Sequence, residues 1–289
     1  MNTSELFKQK RVFSIEIFPP KRGMESPEEI EKIYDTLNEF HALNPDYISV
    51  TYGAGGSGNS SASIEIAGGI KEKFDIESVA HLPAIGMSEK DVLLVLEQLK
   101  NRNVENILAL RGDNPGNIPA GDFPYASDLT SFIKNQGGFN VIGACYPETH
   151  PEAHSPETDI ENLKKKVDSG VGHLISQLFL DNSFFYDFLE RAEKAGINVP
   201  IEAGIMPVVN KKQILRMTSL CGAKIPKKFM KMMDKFEDNP VAMRDAGIAY
   251  AVDQIIDLLA HDAAGIHLYA MNNPYIARKI KKATQSLFV

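Results

Sequence analysis

The order of apolar and amphipathic stretches in the sequence predicts an α/β fold built from eight strand–helix units. Short apolar stretches alternate with longer amphipathic stretches eight times in 289 residues, and no linker or change in composition divides the chain. Such alternation favours parallel strands joined by crossover helices. Together these observations predict a single (β/α)8 barrel, or TIM barrel, over residues 1–289, with extra helices between strands 7 and 8.

The predicted strands share short runs of apolar and β-branched residues. They are Val12–Pro20, Tyr47–Thr51, Glu77–His81, Asn106–Leu110, Asn140–Ala144, His173–Leu178, Pro200–Ile205 and Gly265–Tyr269. The first run ends at Pro19 and Pro20, because proline lacks the N–H group that a strand ladder needs.

The predicted helices show apolar residues at helical spacing, and several begin with capping residues. Ser26 followed by Pro27 begins the first helix, and Ser88 with Asp91 forms a capping box at the third. The helical stretches are Ser26–Leu43, a segment that ends near Phe74, Ser88–Arg102, Tyr125–Asn135, Glu157–Ser169, Asn182–Ala195, Lys211–Cys221, Pro226–Phe236, Val241–His261 and Pro274–Thr284. Of these, Pro226–Phe236 and Val241–His261 are the extra helices.

Composition and charge exclude several classes of protein. A formal net charge of -7 argues against a nucleic-acid partner, since phosphate binding needs clustered cations. No apolar run approaches the roughly 18 residues of a membrane span, and residues 1–11 are too polar for a signal peptide. We therefore expect a cytoplasmic protein. Cys145 and Cys221 are isolated in the sequence, which predicts two free thiols.

Polar residues follow or end seven of the predicted strands, where the active site of a (β/α)8 barrel lies. They are Glu16, Thr51, His81, Arg111 with Asp113, Tyr146, Gln177 and Tyr269. Glu16 lies inside an apolar run, so it is either a buried carboxyl group suited to acid catalysis or an edge-strand residue that faces water. The other strand ends favour the first interpretation, because one shared cavity explains all of them.

Two further motifs suggest other functions. Gly53–Gly58 fits the pattern G-x-G-x-x-G after a strand, which is typical of dinucleotide-binding folds and leaves an NAD-dependent dehydrogenase as an alternative. His150 and His154 are four residues apart, as in zinc peptidases, but Pro151 disfavours the continuous helix that would align them. We therefore expect no metal site.

Six motifs along the chain carry a resemblance to a known family. They are Phe13–Pro20 (FSIEIFPP), Ser49–Ala54 (SVTYGA), Ala109–Asp113 (ALRGD), Tyr125–Asp128 (YASD), Tyr146–Ala153 (YPETHPEA) and Asn162–Asp168 (NLKKKVD). In these motifs the chain resembles methylenetetrahydrofolate reductases of the bacterial type, which consist of the catalytic domain. The resemblance implies a barrel that binds FAD, takes hydride from NADH or NADPH, and reduces 5,10-methylenetetrahydrofolate to 5-methyltetrahydrofolate in one-carbon and methionine metabolism.

The resemblance also implies roles for individual residues. Glu16 matches the proton donor and Asp113 the carboxylate near the flavin and the pterin, so both are catalytic and substrate-binding. Gln177 matches the pterin-binding glutamine, and Gln213 and Tyr269 are further substrate-binding positions. The FAD-binding positions are Thr51, Tyr52, Ala54, His81, Arg111, Gly112, Asp113, Tyr125, Ala126, Tyr146, His150, Ala153, Asp159, Asn162, Lys165 and Lys166.

Some features depart from the family pattern or leave alternatives open. Lys165 and Lys166 could neutralise the FAD pyrophosphate, or could belong to a solvated helix face. Asn273 stands where relatives often have an arginine, which leaves the folate glutamate tail without one expected cation; Lys211, Lys212 or Arg278 could replace it. We expect a homo-oligomer, and a non-catalytic flavin- or folate-binding subunit with an electron-donating partner remains a further alternative.

Overall fold

A closed barrel of eight parallel strands forms the centre of the protein. The computed structural model describes residues 1–21, 23–52, 60–112 and 121–288. The strands follow one another around the barrel in chain order, and the first pairs with the eighth. The predicted (β/α)8 fold is therefore confirmed.

The strands and helices alternate as the sequence indicates. The strands are β1 (Val12–Ile17), β2 (Tyr47–Val50), β3 (Glu77–Pro83), β4 (Asn106–Leu110), β5 (Asn140–Cys145), β6 (Val171–Ser176), β7 (Ile201–Ile205) and β8 (Gly265–Leu268). The α-helices are α1 (Pro27–His41), α2 (Ser60–Phe74), α3 (Glu89–Asn101), α4 (Ala126–Gln136), α5 (Pro156–Asp168), α6 (Asn182–Lys194), α7 (Lys211–Cys221), α8 (Lys227–Phe236), α9 (Pro240–Ala260) and α10 (Pro274–Thr284). Short 3-10 helices cover Thr3–Lys8 and Gln285–Leu287.

Several local predictions are confirmed. Ser26 accepts a hydrogen bond from the Glu29 backbone N–H at the start of α1, and Ser88 with Asp91 forms the capping box of α3. The extra helices α8 and α9 lie between β7 and β8. Cys145 and Cys221 are free thiols. Among the residues that the structure describes, no helix is long and apolar enough to cross a membrane.

Strand alternation divides the apolar residues into an outer and an inner core. Phe13, Ile15 and Ile17 of β1 face outward and join the large cluster between the barrel and its helices. Val12 belongs to a separate cluster inside the barrel, to which β2–β6 contribute Tyr47, Val79, Leu108, Ile142 and Ile175. Ser14 and Glu16 alternate with the outward residues of β1, so their side chains also face the barrel interior.

The 3-10 helix at the N-terminus was not predicted, and it closes the N-terminal end of the barrel. The Asn106 side chain accepts hydrogen bonds from the backbone N–H and the hydroxyl group of Thr3, at 3.0 Å and 3.2 Å. The Ser4 hydroxyl lies 2.9 Å from Asn140 Oδ1 and 2.8 Å from His173 Nδ1. These contacts satisfy buried polar groups that the interior would otherwise leave without partners.

The predicted bounds of β6 are wrong by two residues. The strand begins at Val171 and ends at Ser176, so Gln177 and Leu178 lie beyond it. Side chains end the ladder here: Gln177 Oε1 accepts a hydrogen bond from the Leu178 N–H at 2.8 Å, and the Ser176 hydroxyl accepts one from the Gly204 N–H at 2.9 Å. At its start, the strand is shifted in register against β5 between Val141 and Ile142.

Phe18, which lies between the end of β1 and the proline pair, is held by a side chain from the loop after β8. Asn272 Oδ1 accepts a hydrogen bond from the Phe18 N–H, and its Nδ2 donates to the Phe18 carbonyl, both at 2.8 Å. Asn272 adopts φ 54°, a left-handed conformation that asparagine tolerates better than most residues. This clamp positions the end of the strand that carries Glu16.

Replacing Asn272 should therefore destabilise the protein in a graded way. Asn272→Gly removes both hydrogen bonds and should cost about 1–3 kcal/mol of unfolding free energy. Asn272→Ala should cost about 1 kcal/mol more, because a Cβ disfavours the left-handed conformation. Urea unfolding of both variants measures the two effects. Equal stability of wild type and Asn272→Gly would show that the clamp contributes nothing.

Candidate functional site

Glu16 lies in the barrel interior near the C-terminal ends of the strands. It is the penultimate residue of β1 and is 8% exposed. Its Oε2 atom lies 3.7 Å from Nε2 of His81 on β3 and 3.9 Å from Nε2 of His267 on β8. The prediction of a buried carboxyl group is confirmed, and two imidazole rings flank it.

His81 does not provide Glu16 with a positive charge near neutral pH. Burial lowers the pKa of His81 to about 4, although the Glu16 carboxylate opposes this change. Its Nε2 atom is buried and, among the described residues, has no hydrogen-bond partner. The contact with Glu16 is therefore one between a carboxyl group and a neutral ring, with a polar atom left for a ligand.

Tyr269 follows β8 and borders a cavity beside this site. Its hydroxyl donates to the Ser176 carbonyl at 2.7 Å, and its ring lies 5.0 Å from that of His267. Burial raises the pKa of Tyr269 well above its usual value, so the hydroxyl keeps its proton. The neighbouring cavity, of about 280 Å³, is also lined by Gln213, Met271 and Asn273. The structure thus brings together Tyr269 and Gln213, two of the predicted substrate-binding residues.

A second group of predicted residues lies at the ends of β4 and β5. Both terminal nitrogens of Arg111 donate to Glu152, one of them at 2.7 Å. The rings of Tyr146 and His150 are 4.6 Å apart. The His150 backbone N–H donates to Asp159 Oδ2 at 3.0 Å, which links this loop to α5. The Glu152 backbone N–H donates to His150 Nδ1 at 3.1 Å, so these predicted FAD-binding residues are connected with one another.

The three consecutive lysines of α5 have different surroundings. Lys166 is partly buried, its Nζ atom donates to the Ala144 carbonyl at 2.8 Å, and burial lowers its pKa. Lys164 forms an ion pair with Asp168, and Lys165 is exposed. A uniformly solvated helix face is therefore the wrong description for Lys166, whereas Lys165 fits it.

Other predicted residues lie near the same end of the barrel with less definite surroundings. Thr51 and Tyr52 follow β2, Gly112 follows β4, Ala153 lies in the loop before α5, and Ala126 begins α4. Tyr125 is 66% exposed and Asn162 is also exposed. Gln177 is partly buried, and its Oε1 atom is already bonded to a backbone N–H. Ala54, Asp113 and the loop Gly53–Gly58 lie outside the described residues.

The two histidines of the metal-like motif do not lie on a helix. His150 and His154 are in the irregular segment before α5. This agrees with the prediction that Pro151 disfavours a continuous helix through both histidines. Within the described parts of the chain, no group of three histidine, cysteine or acidic residues is arranged to hold a metal ion.

Comparison with protein-family models assigns the chain to a family. The model of the methylenetetrahydrofolate reductase family matches residues 2–285, which is almost the entire chain. The chain belongs to the methylenetetrahydrofolate reductase family. The resemblance carried by the six motifs is thereby confirmed.

Relatives of this methylenetetrahydrofolate reductase family member fall into two length classes. The 5,10-methylenetetrahydrofolate reductase of Escherichia coli is 34% identical over 261 residues, covering 90% of this chain and 86% of the relative. Methylenetetrahydrofolate reductase (NADH) 1 of Arabidopsis thaliana is 33% identical over 276 residues, covering 90% of this chain and 46% of the relative. The chain thus spans about half the length of the plant relatives and most of the bacterial one.

A solved structure shares the fold at low sequence identity. It is a Clostridium thermocellum protein described as binding two copies of 5-methyl-5,6,7,8-tetrahydrofolic acid. The TM-score is 0.68 at 13% identity, and 99% of each chain is covered. At this identity the likeness supports the barrel fold alone.

Several inward-facing polar residues of this family member were missed by the sequence analysis. They are Ser14, Tyr47, Ser49, Glu202 and His267, all buried. The two-residue period of the strands contains a signal for most of them, because Ser14 precedes Glu16 by two residues and His267 precedes Tyr269 by two. Glu202 has no such marker beside it, since Gly204 is the next inward residue of β7.

The low pKa of His81 predicts a loss of stability in mild acid. The unfolded chain takes up a proton near the ordinary pKa of 6.5, whereas the folded protein does so only near pH 4. The contribution of His81 to the free energy of unfolding is therefore complete above about pH 6.5. It falls by up to about 3 kcal/mol between pH 6.5 and 4. Urea unfolding against pH should show a smaller decline in His81→Gln. His41→Gln, at an exposed position on α1, is the control and should keep the wild-type decline.

Proposed function

We propose that the protein reduces 5,10-methylenetetrahydrofolate to 5-methyltetrahydrofolate, with bound FAD and with NADH or NADPH as the electron donor. The observation that carries the proposal is Glu16, a buried carboxyl group flanked by two imidazoles at the catalytic end of the barrel. Family membership supports the same reaction, as does the name of the Escherichia coli relative.

Glu16 is the proton donor in this proposal. Its proton goes to a nitrogen of the folate methylene bridge, and the carbon–nitrogen bond then breaks to give a cationic iminium that accepts hydride. A carboxyl group can donate a proton near neutral pH only when its surroundings disfavour the charged form. Glu16 is 8% exposed, and the neutral His81 places no positive charge beside it.

The described residues fit a flavin cofactor in two respects. His81 offers a buried Nε2 atom without a hydrogen-bond partner among the described residues, and Arg111 and Lys166 offer positive charge at the ends of β4 and β5. When bound, FAD would supply hydride transfer between the nicotinamide and the folate. Arg111 already shares its charge with Glu152, whereas Lys166 Nζ uses one N–H group on the Ala144 carbonyl and keeps two for a phosphate.

Gly112, a predicted FAD-binding residue, lies where a side chain would not fit. It adopts φ 87°, and an added Cβ would lie 2.8 Å from Ile85 Cγ2 and 3.0 Å from Pro83 Cβ. Packing within the protein therefore requires glycine here. Asp113 lies outside the described residues and keeps its proposed role, in which its carboxylate stabilises the cationic iminium.

The cavity beside Tyr269 is the proposed folate site. Gln213 and Asn273 provide amide groups, and Met206, Met271 and Ile276 provide apolar walls suited to a flat ring. Asn273 has a structural duty as well, because its Oδ1 atom accepts a hydrogen bond from the Ile276 N–H at the start of α10. Asparagine is a good helix N-cap, so α10 gains a cap where relatives often have a cation.

The cation for the folate glutamate tail is proposed to be Lys212. Lys211 contacts Asp234 at 3.0 Å and is also bonded to Glu237, and Arg278 contacts Glu39 at 3.1 Å. These partners reduce the charge that either residue can offer to a ligand. Lys212 lies on the exposed side of α7, directly before Gln213 of the cavity.

The alternative functions differ in what they predict for a bound flavin. An NAD-dependent dehydrogenase that uses Gly53–Gly58 would be colourless, and the closed barrel already differs from the open sheet of dinucleotide-binding folds. A flavin- or folate-binding subunit without turnover would be yellow, but NADH would leave its flavin oxidised. The proposed enzyme would be yellow and lose its colour with NADH.

The Glu16→Gln variant tests the proposed function. It keeps the shape and hydrogen bonding of the side chain but removes the proton, so folate reduction should fall by about 10²- to 10⁴-fold. NADH should still bleach the flavin absorption at nearly the wild-type rate, because that half-reaction needs no proton donor at the folate nitrogen. Stopped-flow absorption measures both half-reactions.

Glu77→Gln is the matched control for this test. Glu77 begins β3 at the opposite end of the barrel, where it binds the Met1 amino group at 2.8 Å. Both half-reactions should keep wild-type rates in this variant. Equal losses of both half-reactions in Glu16→Gln would refute the assignment of Glu16, and a colourless protein that takes up no FAD would refute the proposed function.

The lysines of α5 should contribute unequally to FAD affinity. Replacing Lys165 and Lys166 together with alanine should raise the FAD dissociation constant by about 10- to 100-fold, since charge-assisted hydrogen bonds are lost. Lys166→Ala should account for most of this change, because its ammonium group is partly buried. Lys164→Ala is the control on the same helix and should bind FAD normally. Unchanged affinity in the double variant would mean that neither lysine contacts the cofactor.

A further inference from the structure

A second buried carboxyl group, Glu202, lies deeper in the barrel than Glu16. It is 0% exposed and belongs to β7. Its Oε1 atom lies 2.6 Å from the Ser14 hydroxyl, and its Oε2 atom is bonded to the Tyr47 hydroxyl. The proposed reaction assigns no role to this group, although burying a carboxyl group is costly unless its partners satisfy it.

Ser14 and His267 connect this carboxyl group to Glu16. The Ser14 hydroxyl lies 2.6 Å from His267 Nδ1 as well as 2.6 Å from Glu202. On the other side of the ring, His267 Nε2 lies 3.9 Å from Glu16 Oε2 and 3.5 Å from the Ser49 hydroxyl. A movement of about 1 Å by the Glu16 carboxyl group would bring it within hydrogen-bond distance of Nε2.

When His267 is a neutral imidazole, proton counting allows two arrangements of this chain of groups. A serine hydroxyl has one proton and a neutral imidazole has one N–H, so each can donate in only one direction. When Glu202 is ionised, Ser14 donates to it and His267 carries its proton on Nδ1. When Glu202 is protonated, it donates to Ser14, Ser14 donates to Nδ1, and His267 carries its proton on Nε2, which faces Glu16.

We propose that Glu202 is the internal proton-exchange partner of Glu16 and resupplies it through Ser14 and His267. The inference rests on the proposed function, in which Glu16 gives a proton to the folate. Glu202 passes its proton to Ser14, Ser14 passes its own to His267 Nδ1, and His267 Nε2 passes its proton to Glu16. One proton leaves Glu202 and one reaches Glu16, while Ser14 and His267 each end with one. Once the site reopens and Glu16 takes a proton from water, the reverse transfer restores Glu202.

The other titratable groups around Glu202 and His267 do not compete with the two carboxyl groups for the transferred proton. The titratable groups that face Glu202 and His267 are Glu16, Asp46, Tyr47, His81, His173 and Tyr269. Burial lowers the pKa of His81 to about 4 and that of His173 to about 3, so both are neutral near pH 7. It raises the pKa values of both tyrosines well above their usual range. Asp46 is paired with Lys10.

Burial also supports a protonated Glu202 as the starting state. It raises the pKa of this group above its ordinary value, which a positive charge on His267 and the hydrogen bonds from Ser14 and Tyr47 oppose. Glu16 lies closer to the barrel mouth, where a bound folate and flavin would exclude water while the reaction proceeds. A proton source inside the barrel therefore remains connected when the solvent route is closed.

The first arm of the test reads the position of the proton without any substrate. Nitrogen NMR of histidine-labelled protein distinguishes an imidazole protonated on Nδ1 from one protonated on Nε2. In the wild type, His267 Nδ1 should gain its proton as rising pH ionises Glu202. This switch should be lost in Glu202→Gln, which cannot ionise, and in Ser14→Ala, which interrupts the chain while leaving both carboxyl groups.

The second arm measures turnover in the same variants. Both Glu202→Gln and Ser14→Ala should lower kcat for folate reduction by about 10-fold, since proton transfer contributes about 10²- to 10⁴-fold in total. KM should stay at the wild-type value. The double variant should lose no more than either single one, because both changes interrupt the same route.

Asp257→Asn is the matched control for both arms. Asp257 accepts a hydrogen bond from Tyr186 at 2.6 Å on the outer side of the barrel, which resembles the bond from Tyr47 to Glu202. It should keep the His267 switch and the wild-type kcat. Thermal unfolding of each variant checks that the fold is retained, and Ser14→Ala provides the test if Glu202→Gln does not fold.

Two results would overturn the inference. One is a His267 ring that keeps the same protonated nitrogen across the titration of the wild type, or that switches as usual in Glu202→Gln. The other is a wild-type kcat in both Glu202→Gln and Ser14→Ala. Failure of the proposed function is recognised separately, by a wild-type protein that takes up no FAD or does not reduce the folate, and the NMR arm involves neither measurement.

Discussion

Closure of the eight-stranded barrel is the constraint on which the rest of the structure depends. A closed barrel turns every second side chain of each strand into an interior that excludes water, so each inward polar group must find a partner there. The apolar cluster inside the barrel includes Val79, Leu108, Ile142 and Ile175 from β3–β6. The polar groups around Glu16 and Glu202 come mainly from β1, β2, β7 and β8, with His81 added from β3.

The N-terminal segment and the loop after β8 complete this arrangement at opposite ends of the barrel. Thr3 and Ser4 supply partners for the asparagine and histidine side chains at the N-terminal end. Asn272 holds the backbone of Phe18 at the other end, two residues after Glu16. Packing around the whole barrel therefore sets the position of Glu16. Loops alone would hold this side chain less precisely.

The chemistry of the site follows from the polarity of its surroundings. Burial keeps the neighbouring His81 neutral near pH 7, so that ring places no positive charge beside Glu16. The hydroxyl and imidazole groups beneath it form a continuous set of contacts down to Glu202. Positive charge is instead found at Arg111, which follows β4, and at Lys166 of α5, whose Nζ atom contacts the Ala144 carbonyl of β5. This separation suits a reaction that needs a protonated acid in one place and an anion-binding surface in another.

The sequence by itself determined the order of strands and helices, the extra helices, and Glu16 as a buried acid, because these depend on local periodicity and on caps such as Ser88. Only the tertiary structure decided where β6 ends, because side chains of Ser176 and Gln177 replace ladder bonds there. It also decided the partners of Glu16. Glu202 and His267 are more than 180 residues from β1 in sequence, and they approach Ser14 only when the barrel closes.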